Sequence, residues 1–319
     1  MLNVAVLDDY QNVTKKYGNW DELNNFINLK VFNKYINKDS DLIKLLSKFE
    51  VLCLMRERTK LSSKIINSLP NLKLVITSGM WNPSVDLDAL NESNIVFSGT
   101  DNRIQSTAEL SWLLTQTVWR NIYPEFENMT NGKWQTTIGR TLFGKTLGIF
   151  GLGKQGQQVA RFGRAFGMKV IAWSHNLTKE ICAEHQVTWV TSDDLFKMSD
   201  VFSIHTKLSD RTMGFIDINK IKLMKKSAII INTSRGPIIK EEDLIFALKQ
   251  KLISGIGLDV FDVEPLPSRH IFRKLMQKYN LVLTPHLGYV SSETYEKFHN
   301  GYVLAIKAFI KGHPINKLN

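Results

Sequence analysis

Three side chains in the second half of the chain are of types that could work together on a carbonyl beside a carboxylate: Arg235, Glu264 and His286. Each follows a short apolar run that reads as a strand. Ala228–Asn232 leads into Thr233-Ser234-Arg235-Gly236-Pro237, Ile256–Val260 into Phe261-Asp262-Val263-Glu264-Pro265, and Leu281–Leu283 into Thr284-Pro285-His286-Leu287-Gly288. Taken singly, a His after a Pro is often structural, and a Glu before a Pro is often a turn residue. Strand ends of one parallel sheet share an edge, however, so the three can converge. A guanidinium fork holds a carboxylate through two hydrogen bonds and can polarise a neighbouring ketone. An imidazole can give or take a proton near neutral pH, and a carboxylate beside it orients the ring and favours its charged form.

What such a set lacks is a hydride, and a second stretch points to its source. Thr146–Phe150 reads as a buried strand and runs into Gly151-Leu152-Gly153-Lys154-Gln155-Gly156. Val159, Phe162, Gly163 and Phe166 then recur at helical spacing, Gly167 suits the C-cap, and Lys169–Trp173 reads as a second strand. Strand, G-x-G-x-x-G turn, helix and strand form the context in which this motif signals a dinucleotide. Gly151 permits the tight turn, Gly153 lets backbone approach a pyrophosphate, Gly156 lets helix and strand pack, and the helix start offers free N–H groups. A nicotinamide held there would supply hydride. An acid after the second strand would favour NAD and a basic residue NADP. The chain has Ser174-His175-Asn176, then Lys179, so the choice between NAD and NADP stays open.

These residues need a large scaffold, and 319 residues with 43% hydrophobic content can provide a two-domain one. No apolar run is long enough to span a bilayer, and the N-terminus reads as a strand rather than a signal peptide. Cys53 and Cys182 do not make a disulfide framework, so buried free thiols and a cytoplasmic location are expected. The net charge of +11 is spread along the chain, with Lys222, Lys225 and Lys226 the densest patch on a solvated helix face. That argues against nucleic acid as a partner and is compatible with an anionic substrate. No metal-ligand cluster is expected.

The opening third alternates strands and helices. Leu2–Leu7, Leu29–Phe32, Val51–Met55, Leu72–Thr77 and Ile95–Phe97 read as strands; Trp20–Asn28, Ser40–Phe49 and Ser62–Leu69 as helices. Asp8-Asp9 at a strand end reads as a turn or cap rather than an acid–base pair. Two other strand ends could meet a ligand. Ser78-Gly79-Met80 could offer N–H groups to a carboxylate, and Arg56 could add a positive charge or instead pair with Glu57. Ser106–Ile122 is a broadly apolar helix between the two α/β sets, with Trp112 and Trp119 on one face as core or subunit-contact residues. Ser292–Lys311 reads as a final helix.

The ordered motifs resemble the D-isomer-specific 2-hydroxyacid dehydrogenases: the turn Gly151–Gly156, Asn232-Thr233-Ser234-Arg235-Gly236, Gly257-Leu258-Asp259-Val260-Phe261 through Glu264-Pro265, and Thr284-Pro285-His286-Leu287-Gly288. Ser78-Gly79 and Thr107-Ala108-Glu109 also fit, so the resemblance covers essentially the whole chain. It implies an α/β protein of two Rossmann-like doubly wound domains, a nucleotide domain at 102–290 inserted into a flavodoxin-like substrate domain of 1–101 and 291–319. It also implies hinge closure over substrate in a cleft. The reaction implied interconverts a 2-oxo acid and a D-2-hydroxy acid, with Arg235, Glu264 and His286 catalytic and Ser78, Gly79, Met80 and Arg56 at the substrate. Asp259 falls on the nicotinamide side. Gly151, Leu152, Gly153, Lys154, Gln155, Gly156, Ser174, His175, Asn176, His205, Thr206, Thr233, Ser234 and Thr107 complete the expected cofactor set. A homodimer joined through the nucleotide domain is implied as well.

Departures from the family pattern are the missing acid at Ser174, Tyr289 where a second Gly is common, and a long basic stretch Ser268–Asn280. Formate dehydrogenases of this fold place Gln where this chain has Glu264. Arg56, Arg58 and Lys60 leave a phosphorylated substrate open. A reading of another class is an NAD(H)-sensing corepressor-like binding protein of the same fold, which would bind dinucleotide without turnover.

Overall fold

The computed structural model describes residues 1–101 and 105–319. The chain separates into two compact units, Met1–Ile104 with Val290–Asn319, and Gln105–Tyr289. The expected domain boundary after residue 101 borders 102–104, which lie outside the described residues.

The first unit is a five-stranded parallel sheet. Its elements are β1 (Leu2–Val6), β2 (Ile27–Val31), α1 (Asp39–Leu46), β3 (Val51–Leu54), α2 (Ser63–Asn67), β4 (Leu74–Thr77), α3 (Leu87–Glu92) and β5 (Val96–Gly99). The strand order β2-β1-β3-β4-β5 is the flavodoxin-like one. Val51–Leu54 and Leu74–Thr77 are buried throughout, as strands covered on both faces must be, and this explains their unbroken apolar character.

The expected helix over Trp20–Asn28 is not formed. Trp20–Leu23 makes a 3-10 turn, and Ile27 pairs with Leu2 as the first residue of β2. Asn24 and Asn25 are poor helix formers, and burying Ile27 in the sheet outweighs extending the turn. Asp9 serves a turn, one of its expected readings: its carboxylate accepts from the N–H groups of Val13 and Thr14 at 3.0 and 2.8 Å.

The second unit contains α4 (Ser106–Trp119), α5 (Ile122–Thr130), β6 (Thr146–Phe150), α6 (Lys154–Ala165), β7 (Lys169–Trp173), α7 (Lys179–Glu184), β8 (Thr188–Trp189), α8 (Ser192–Met198), β9 (Val201–Ile204), α9 (Ile218–Lys222), β10 (Ile229–Asn232), α10 (Glu241–Lys249), β11 (Gly255–Leu258), α11 (Ile271–Leu275) and β12 (Leu281–Leu283). Its seven strands run parallel in the order β12-β11-β10-β9-β6-β7-β8, the Rossmann arrangement with one extra strand. The order reverses between β6 and β9, so the switch point lies beside the glycine turn. Trp112 and Trp119 of α4 are buried against this sheet with Leu147, Ile149 and Ile231.

The chain then returns to the first unit through α12 (Ser292–Ile310). Tyr302, Val303 and Ile306 pack on Val4, Cys53 and Ile76, and Tyr302 Oη donates to the Leu54 carbonyl at 2.8 Å. Both cysteines are buried and free. Among the described residues no helix is long and apolar enough to cross a membrane.

Candidate active site

Arg235, Glu264 and His286 lie beyond the ends of β10, β11 and β12, which are adjacent in the second sheet. The Arg235 loop is fixed from within: Asn232 Nδ2 donates to the Arg235 carbonyl at 2.9 Å, and Ser234 N–H donates to Asn232 Oδ1 at 3.0 Å. Arg235 Nη1 donates to the Ser234 carbonyl at 2.7 Å. A Cβ at Gly236 would strike the main chain of Phe261 and Asp262, so glycine there lets the Arg235 loop lie against the Glu264 loop.

Glu264 bridges two partners. Its Oε1 accepts the Phe261 N–H at 2.9 Å, and its Oε2 lies 2.6 Å from His286 Nδ1. The short contact makes Nδ1–H the donor to the carboxylate and leaves Nε2 for substrate. His286 has a left-handed backbone, φ 53°, and is held there by Asp259. The Asp259 carboxylate accepts from Thr284 Oγ1, Leu287 N and Gly288 N at 2.6, 2.7 and 2.8 Å, and its carbonyl accepts the His286 N–H at 2.9 Å. Burial pushes the Asp259 carboxyl up from its ordinary value, against the opposing pull of the Thr284 and Leu287 bonds. Asp259 therefore fixes the loop that presents the histidine. Tyr289, where a Gly is common in the family pattern, is buried and stands edge-on to the His286 ring at 5.4 Å between centroids.

The glycine turn is built as its spacing requires. Gly151 has φ 98°, and a Cβ there would come within 2.9 Å of the main chain at His205 and Thr206. A Cβ on Gly156 would collide with the Gly151 carbonyl, so this glycine seats α6 on the turn. Gly153, the N-cap of α6, differs: a Cβ there would meet nothing, and no side chain caps the helix. Open space over the uncapped start of a twelve-residue helix fits a pyrophosphate. Thr233 fits the same group, because its buried Oγ1 has no hydrogen-bond partner among the described residues.

Other members of the expected cofactor set have structural ties. Leu152 is buried, and its carbonyl accepts Gln157 Nε2 at 3.1 Å, while Lys154 and Gln155 form the first turn of α6. Ser234 Oγ donates to the Thr206 carbonyl. Thr107 Oγ1 donates to the Gly288 carbonyl at 2.8 Å, which anchors the start of α4 to the histidine loop. His205 Nε2 lies 2.8 Å from Ser203 Oγ, itself 3.2 Å from Ser111 Oγ, and desolvation lowers the imidazole to about 4. Ser174, His175 and Asn176 follow β7 directly.

In the first unit, the strand-end loops are more self-contained than their sequence suggested. Ser78 N–H donates to the Leu54 carbonyl at 3.0 Å and Gly79 N–H to Thr100 Oγ1 at 3.0 Å, so these two donors are taken up within the fold in this conformation. Gly79 has φ 92°, and Met80 is exposed. Arg56 satisfies both of its readings in part: Nη1 donates to the Ser78 carbonyl at 2.9 Å and Nη2 lies 3.4 Å from Glu57 Oε1. Arg58 donates to the Asp8 carbonyl at 2.6 Å and stands over the Tyr10 ring at 4.3 Å.

Three pairings were not foreseen from sequence. Within Ser268–Asn280, Arg273 ties back to the Glu264 loop, with Nε and Nη2 donating to the carbonyls of Pro267 and Leu266 at 3.0 and 2.9 Å. His270 Nε2 reaches Glu241 Oε1 at 3.1 Å. Arg211 reaches Asn176 from the loop between β9 and α9. Short-range spacing carries no signal for such pairings.

A doubly wound sheet with a glycine turn at its switch point, and Arg, Glu and His on the same edge, defines an NAD(P)-dependent oxidoreductase of 2-hydroxy acids. Residues 112–288 match the family described as D-isomer specific 2-hydroxyacid dehydrogenase, NAD binding domain, and the chain belongs to that family. It is 37% identical over 272 residues to a hydroxypyruvate reductase of Thermotoga maritima, covering 83% of this chain and 86% of that one. It is 33% identical over 271 residues to a glyoxylate reductase of Thermococcus litoralis, covering 82% and 81%. The crystal structure of a phosphoglycerate oxidoreductase from Vibrio cholerae O395 superposes with a TM-score of 0.91 at 30% identity, covering 98% of this chain and all of that one.

Proposed function

We propose that this enzyme reduces a small, unphosphorylated 2-oxo acid of the glyoxylate or hydroxypyruvate kind to the 2-hydroxy acid, the D isomer where the product is chiral, with Arg235, Glu264 and His286 as its catalytic residues. The observation that carries the assignment is the 2.6 Å contact of His286 Nδ1 with Glu264, on the sheet edge that also bears Arg235. A nicotinamide dinucleotide held at the Gly151–Gly156 turn would supply hydride for the carbonyl carbon. Arg235 holds the substrate carboxylate and draws electron density from the ketone oxygen. As charge develops on that oxygen, His286 Nε2 gives it a proton, and Glu264, hydrogen-bonded to Nδ1, keeps the ring aimed. In the reverse direction neutral His286 takes the hydroxyl proton.

The preference for an unphosphorylated substrate rests on Arg56 and Arg58. Both were available on sequence grounds for a phosphate, and both are engaged by carbonyls and neighbouring side chains of their own unit. The same names attach to the Thermotoga and Thermococcus relatives, which supports this substrate class.

We read the enzyme as a homodimer. Helix α5 buries none of its residues, and Phe126, Met129, Trp134 and Ile138 are 67, 58, 74 and 91% exposed along this arm of the nucleotide-binding unit. An apolar band of that extent is suited to cover a second copy of itself. The test of the activity is chiral. The protein is supplied with reduced dinucleotide and hydroxypyruvate, and D-glycerate is the expected product; L-glycerate, or reduction of no 2-oxo acid in a panel, would refute the assignment.

A further inference from the structure

The end of β7 is where a doubly wound domain reads the ribose of the adenosine, through an acid for a free 2′-hydroxyl or through a cation for a 2′-phosphate. Here the strand runs into Ser174-His175-Asn176, with no carboxylate among them. The fold brings a cation to this point from elsewhere. Arg211, thirty-five residues further along, donates Nη2 to Asn176 Oδ1 at 3.3 Å. His175 stands against Trp173 and Phe215, with ring centroids 4.9 and 5.3 Å away, and Trp173 itself stacks on Phe150 and Phe215 at an interplanar angle of 17° in both cases. The three exposed side chains, His175, Asn176 and Arg211, thus rise from a packed aromatic base. The His175 imidazole is held below its ordinary value by burial first and by the Arg211 charge second, which places the guanidinium within electrostatic reach of it. Lys179, the basic residue nearest in sequence, has its ammonium 5.5 Å from the centroid of the Trp189 ring.

We propose that Arg211 selects the cofactor, forming with Ser174, His175 and Asn176 a seat for the 2′-phosphate of NADP(H). A guanidinium offers two parallel donors to a phosphate dianion, and the hydroxyl and amide add neutral ones. The repulsion that a carboxylate at this strand end would impose is missing. The assignment rests on the reading of Gly151–Gly156 as the dinucleotide turn.

The full-length protein is titrated calorimetrically with adenosine 2′,5′-bisphosphate and with 5′-AMP, and by nicotinamide fluorescence with NADPH and NADH. The 2′-phosphorylated ligand of each pair binds roughly tenfold tighter or more, as a charge-assisted pair implies, and added salt narrows the gap. Arg211→Ala weakens only the 2′-phosphorylated ligands, Arg211→Lys recovers part of the loss, and Lys179→Ala leaves the preference in place. Equal binding of bisphosphate and AMP by the unaltered protein overturns the proposal, as does an Arg211→Ala variant that weakens both alike. Either result leaves hydride transfer intact if NADH still supports turnover. Binding of neither nicotinamide would instead refute the dinucleotide turn itself.

Discussion

His286 shows how a single side chain is prepared at several removes. Its ring is aimed by Glu264, its left-handed backbone is held by Asp259, and Asp259 in turn is held by Thr284 and two loop N–H groups. Replacing Glu264 by Gln keeps an acceptor for Nδ1 and turns a charge-assisted hydrogen bond to the ring into a neutral one. The expected effect is a fall in kcat of about 10- to 100-fold for reduction, with KM for the 2-oxo acid changed little, measured by steady-state kinetics; an unchanged kcat would remove Glu264 from the mechanism. Arg235, Glu264 and His286 could be picked out from sequence because each follows a strand by a few positions. Arg211 could not, since it is thirty-five positions from Asn176 and only the seven-stranded order brings β7 and the β9 loop to one edge. The bonds of Asp259 to the histidine loop were likewise hidden, because its partners lie more than twenty positions further along the chain.

At the scale of elements, the unit from β6 to β7 was the most legible part of the chain, because glycine spacing, helical period and apolar strands all specify the same βαβ geometry. Its glycines make separable predictions. Gly156→Ala puts a methyl into the Gly151 carbonyl and lifts α6 from the turn, so both stability and dinucleotide binding fall. Gly153→Ala meets no atom of the chain, so the variant melts like the parent while binding of either dinucleotide weakens roughly tenfold or more, by differential scanning calorimetry and fluorescence titration. Equal binding by Gly153→Ala and parent would show that no pyrophosphate approaches this turn. Illegible elements had a common physical origin. Trp20–Asn28 carries a helical apolar spacing, but pairing of Ile27 with Leu2 decides its fate, and α5 has no buried face to leave a pattern. Short α3 and α7 show themselves only through their caps, Asp86 accepting from Ala89 and Thr178 from Ile181.

For the whole molecule, the long return of α12 has a consequence for stability. His299 is fully buried beside Trp20, Tyr295 and Tyr302, and neither ring nitrogen has a partner among the described residues. Burial lowers it from 6.5 to about 4, with Asp9 opposing. Below about 6.5 the unfolded chain takes up a proton that the folded chain refuses until about 4. The stability present above that window is therefore lost as pH falls through it, by at most about 3 kcal/mol. His299→Leu should flatten the pH dependence of the denaturation midpoint between those limits, and an unchanged slope would assign it to other groups. The exposed arm makes a second prediction at this scale. Trp134→Ser with Ile138→Ser should convert a dimer to a monomer in sedimentation equilibrium, and a parent that sediments as a monomer would contradict the proposed pairing.

The most direct test of the central claim is turnover and binding measured together in His286→Ala. The parent should oxidise reduced dinucleotide in the presence of glyoxylate or hydroxypyruvate. The variant should bind the dinucleotide within a few-fold of the parent and lose about 10²- to 10⁴-fold in kcat, the share that a positioned proton donor contributes. A variant that keeps its turnover, or a parent that binds dinucleotide and reduces no 2-oxo acid, would contradict the account.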